Sequence, residues 1–93
     1  MSNIKEMIQS GATIVDVRTP GEFAGGHVDG SINIPMQEFV NRMDEVKSLN
    51  RPLILCCASG NRSGQVTSYM NAQGDKEVYN GGGWLEVNAH KNN

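Results

Sequence analysis

The chain's two cysteines, Cys56 and Cys57, stand side by side in the stretch LILCCASGNRS, residues 53–63, between an apolar run and a small polar loop closed by Arg62. The residues after them are small or polar, and the small ones, Ala58, Ser59 and Gly60, let successive backbone N–H groups turn inward as a nest for an anion. A helix expected to begin near Ser63 points its partial positive charge at the same spot. Arg62 adds a full charge and a planar fork of donors. A thiol at the mouth of such a nest is stabilised as thiolate, which lowers its pKa and makes it a nucleophile at neutral pH. Cys57 opens the loop in this frame, with Gly60 three residues on and Arg62 five. Cys56 ends an apolar strand whose side chains alternate in direction, so it is expected to point away from Cys57 as core filler. Ser63 is read as a helix cap.

The remaining candidates carry plainer roles. Asp16, Arg18 and Glu22 form a charged cluster beside a strand end, expected to be a structural set of ion pairs. His27 is expected to fix its own loop by a hydrogen bond. His27 and His90 are the chain's two histidines and neither is near the loop in sequence. An ionised thiol needs no histidine base. Trp84 and Tyr79 read as core aromatics, and no Cys/His cluster has metal-ligand spacing.

Short apolar segments of two kinds must position this loop. Ser2 or Asn3 is placed to cap a helix carrying Ile4, Met7 and Ile8, stopped at Gly11. Thr13–Val17 is a β-branched run of the kind found in parallel strands covered on both faces. Thr19-Pro20-Gly21-Glu22 has capping-box residues and predicts one helical turn through Phe23. Ser31–Ile34 is read as a strand ended by Pro35, and Phe39, Val40, Met43 and Val46 predict one amphipathic helix from Met36 to Val46. Leu53–Cys56 is the next strand. A second amphipathic helix is expected from Ser63 to about Gln73, with Val66, Tyr69 and Met70 inward. A strand at Glu77–Tyr79, a flexible turn at Gly81-Gly82-Gly83 and a helix through Trp84, Leu85 and Val87 complete the pattern. Interleaved strands and helices predict an α/β domain with a small, mainly parallel sheet of four or five strands and helices on both faces.

Composition sets bounds. Ninety-three residues are read as one domain, 1–93, and the net charge of -2 with no basic cluster excludes a nucleic-acid or anionic-membrane footprint. No apolar run approaches the ~20 residues of a membrane helix, and no leader pattern opens the chain. Adjacent cysteines cannot staple distant parts of a fold, which fits a reducing, cytoplasmic setting.

Asp16 to Pro35, DVRTPGEFAGGHVDGSINIP, together with Cys57 to Ser63, CASGNRS, and Gly82 to Trp84, resembles the signatures of the rhodanese-like sulfurtransferase domains, in the same order. The resemblance implies a rhodanese-like fold with a six-residue loop beginning at a catalytic cysteine. It further implies that Cys57 takes the outer sulfur from a small donor such as thiosulfate, becomes a persulfide, and passes the sulfur to cyanide or a thiol, free or on a protein. Ala58, Ser59, Gly60, Asn61, Arg62 and Ser63 would cradle it, and no cofactor or metal is implied. The strand that commonly precedes the first helix in the family is not evident here. Two other readings stay open at this point. One is a cysteine-loop phosphatase or arsenate reductase, since Cys56 and Arg62 satisfy Cys-x5-Arg, although Ser59 then stands where a glycine is wanted. The other is a non-catalytic rhodanese-like interaction module, of a kind that typically lacks the cysteine.

Overall fold

The computed structural model describes residues 3–93. Helix α1, Ile4–Gln9, is capped by the Asn3 side chain, which accepts from the Glu6 N–H at 3.2 Å. The alternative cap, Ser2, lies outside the described residues. Strands β1 (Thr13–Asp16), β2 (Ile32–Asn33), β3 (Leu53–Cys57) and β4 (Val78–Gly83) form one parallel sheet in the order β2-β1-β3-β4. The capping box predicted at Thr19 and Glu22 is present and starts helix α2, Pro20–Ala24.

Alternation along β3 divides the core. Leu53, Leu55 and Cys57 join Val15, Phe39, Val46, Val66 and Met70 on one face, whereas Ile54 and Cys56 join Ile8, Ile14, Val28 and Val87 on the other. All five β3 residues are buried, as a parallel strand between two helical layers requires. One layer holds α3 (Met43–Lys47) and α4 (Asn61–Ala72). The other holds α1 and α5 (Trp84–Lys91).

Several sequence expectations give way here. The single helix over residues 36–46 is instead two 3-10 turns, Met36–Glu38 and Val40–Arg42, followed by α3. Phe39 N–H donates to Met36 and Arg42 N–H to Phe39, so three-residue turns bring Phe39 inward and leave Val40 58% exposed. Tyr69 and Leu85, read as inward or closing residues, are 39% and 65% exposed. The glycine run is no turn but the end of β4. A side chain at Gly81 would stand 2.6 Å from Ile54 and 2.8 Å from Val87, and one at Gly83 would stand 2.9 Å from the Ala58 carbonyl. The glycines are there because the backbone is pressed against its neighbours.

Candidate active site

Parallel sheets place ligands beyond the carboxyl ends of their strands, and residues 57–63 lie there, between β3 and α4. Cys57 is the last residue of β3 and its side chain sits on the α4 face. Gly60 takes φ 95°, a left-handed conformation that reverses the chain and turns its N–H back onto Cys57 Sγ at 3.0 Å. A β-carbon there would approach Gly82 Cα at 3.1 Å, so both conformation and space select glycine. The helix begins at Asn61, two residues earlier than predicted. Ser63 is therefore not its cap but lies in its first turn, fully buried, where its N–H and hydroxyl each stand 3.4 Å from Cys57 Sγ.

These contacts decide the ionisation of the two thiols. Burial pushes Cys57 up, but hydrogen bonds from the Ser63 hydroxyl and from the N–H groups of Ser63, Ser59 and Gly60 favour the thiolate and bring it down to about 7. Cys56 has no such donors. Burial on the opposite face, with Asp16 nearby, pushes its thiol up to about 12. A Cys-x5-Arg nucleophile at Cys56 finds no support in this arrangement, because that side chain is 0% exposed and packs under α1 and α5.

The charged residues sort differently from the expected cluster. Arg18 and Asp16 close on one another, with Arg18 Nη2 2.7 Å from Asp16 Oδ2, and both are buried. Arg18 also donates to the Gly26 carbonyl at 2.7 Å and lies 4.8 Å from the Trp84 ring centroid. This pair ties β1, the loop after α2 and α5 together. Glu22 pairs instead with Arg62: Nη1 meets Oε1 at 2.8 Å and Nη2 meets Oε2 at 3.0 Å, a fork-to-fork contact. The guanidinium holds the Glu22 carboxyl down at about 2, helped by the Thr19 N–H. Ala58, Ser59 and Asn61 are exposed at the rim. His27 is exposed, its Nδ1 2.7 Å from the Phe23 carbonyl and its ring stacked on Phe23, so it fixes its loop as expected.

Asn80 belongs to this site and was not foreseen. Its side-chain oxygen accepts from the Ser63 hydroxyl at 2.7 Å and from Gly82 N–H at 3.0 Å, while its NH2 donates to the Gly60 carbonyl at 3.0 Å. The Ser63 hydroxyl has one hydrogen, which serves Asn80 or the Cys57 thiolate. A shift of register between β3 and β4 produces this placement: Leu55 pairs with Asn80, but Cys56 pairs with Gly82, leaving Gly81 as a bulge. The polar residue just before a glycine run was the available signal.

The model of the Rhodanese-like domain family matches residues 1–90. The thiosulfate sulfurtransferase GlpE of Ectopseudomonas mendocina is 36% identical over 86 residues, covering 89% of this chain and 75% of that protein. The uncharacterized protein YqhL of Bacillus subtilis is 38% identical over 69 residues, 74% of this chain but 54% of that longer protein. Among solved structures, a rhodanese with anions from E. coli superposes with a TM-score of 0.72 at 32% identity, covering 82% of this chain and 91% of that one. A four-stranded parallel sheet, a cysteine-headed loop at its carboxyl edge and a family match across nearly the whole length agree, and the chain belongs to the rhodanese-like domain family.

Proposed function

We propose that residues 1–93 act as one sulfurtransferase domain in which Cys57 carries the sulfur. The observation that carries this reading is the convergence of Gly60 N–H, Ser63 N–H and the Ser63 hydroxyl on a single sulfur. In the first half-reaction the Cys57 thiolate attacks the outer sulfur of thiosulfate. A new S–S bond forms, the donor's S–S bond breaks, and sulfite leaves with the electron pair. The two negative charges of the donor pass to sulfite and the single charge of the thiolate to the outer persulfide sulfur, one bond beyond the Cys57 Sγ on which the loop's N–H donors converge. In the second, cyanide or a thiolate, free or on an acceptor protein, attacks that outer sulfur and Cys57 departs as thiolate. Ala58, Ser59, Gly60, Asn61, Arg62 and Ser63 form the cradle, and the steps involve neither metal nor organic cofactor. The reaction suits a cytoplasmic, reducing setting in which the thiol stays free. Among the described residues, no helix is long and apolar enough to cross a membrane.

Thiocyanate formation from thiosulfate and cyanide tests the assignment. Cys57→Ser is expected to abolish it, and Cys56→Ser to retain it while losing about 1–3 kcal/mol of stability for a hydroxyl buried without a partner. A dead Cys56→Ser variant, with Cys57→Ser hydrolysing a phosphate ester, would replace this reading by the phosphatase one.

A further inference from the structure

Between Cys56 and Gly74 the chain holds one Lys or Arg, the loop residue Arg62. A free arginine there would draw a doubly charged donor, yet Arg62 is already matched, as is Arg18 beyond the end of β1. Arg18 is closed on Asp16, and Arg62 is closed on Glu22 through both guanidinium nitrogens that face it. Glu22 is itself fixed rather than loosely placed, since its Oε1 accepts from Thr19 N–H at 3.0 Å and from the Thr19 hydroxyl at 3.1 Å. The cap of α2 thus holds a carboxylate against the loop. We propose that Glu22 is a specificity-determining residue: by cancelling the Arg62 charge it leaves an anionic donor to be held by backbone N–H groups, and so weakens selection for a dianion such as thiosulfate relative to donors of lower charge, such as a small organic persulfide. This rests on the sulfurtransferase reading above and names the feature of the site that grades its donors.

Glu22→Gln separates charge from structure. Glutamine at this position still completes the capping box, so α2 keeps its cap while Arg62 loses its counter-charge. The kcat/KM for thiosulfate, divided by that for cysteine persulfide, is measured at low salt in the wild type, Glu22→Gln, Arg62→Ala and the double variant. The ratio is expected to rise about fivefold in Glu22→Gln, the size of a partly exposed charge interaction, and to fall back in the double variant. Added salt should shrink the gain, because the pair sits at the surface. A ratio unchanged by Glu22→Gln overturns the proposal. The second readout needs no sulfur transfer: the pH midpoint of Cys57 alkylation by iodoacetamide should move down in Glu22→Gln and return in the double variant. If neither donor loads the wild-type thiol, the sulfurtransferase reading fails and the midpoint alone decides. A downward shift then upholds the charge cancellation by Glu22, and a stationary midpoint refutes it.

Discussion

Cys56 and Cys57 share a peptide bond and are almost equally buried, at 0% and 1% exposure, so exposure alone cannot make one of them reactive. Ionisation can. With thiols near 12 and near 7, Cys57 is the one that holds a substantial share of thiolate at neutral pH. Under limiting iodoacetamide, Cys57 is expected to alkylate first, at a rate that climbs as pH rises through about 7 and levels off above it. The sign follows from a thiol depressed in the folded protein: protonation below the midpoint removes the nucleophile. Peptide mapping of the alkylated chain over a pH series checks this, and equal labelling of both cysteines would contradict it. Which cysteine opens the loop was legible in the sequence, because a strand alternates and Gly60 and Arg62 fall at the right distances from Cys57. The partner of Arg62 was not. Glu22 lies forty residues away in the chain, and a charge cluster on paper does not say which carboxylate meets which guanidinium.

Among the elements, β4 separates what pattern can reveal from what it cannot. Its apolar start at Val78 reads as a strand, but Gly81-Gly82-Gly83 reads as a turn by composition, since glycine is depleted in strands. The reason it is a strand lies in tertiary packing. Ile54 and Val87 occupy the space a side chain at Gly81 would need, and the bulge there sends Asn80 toward the loop. Gly81→Ala is expected to cost about 1–3 kcal/mol by overpacking. It should also disturb the Asn80 contacts to Ser63 and Gly60, lowering Cys57 reactivity. Chemical denaturation together with the alkylation rate measures both, and an unchanged midpoint would show that β4 yields there. In residues 36–47 the reverse holds. Apolar residues at helical spacing are present, yet the 3-10 turns keep only part of that pattern inward, burying Phe39 and Val46 and leaving Val40 exposed.

Across the whole molecule, a sheet buried on both faces leaves its carboxyl edge as the place where loops are free to carry chemistry, and there β3, α4, β4 and α2 each contribute to one site. Cys57 comes from β3, Ser63 from α4, Asn80 from β4, and Glu22 from α2. The alternation of strands and helices that predicted this architecture was legible in the apolar residues, except over 36–47 and at the glycine end of β4, where tertiary packing overrides local pattern. In the function proposed above, this assembly makes Cys57 a carrier of sulfur. Intact mass after incubation with thiosulfate, followed by peptide mapping, tests it most directly. A gain of one sulfur atom, located on Cys57 and removed by cyanide, is the expected result; no gain, or a sulfur found on Cys56, would overturn the assignment.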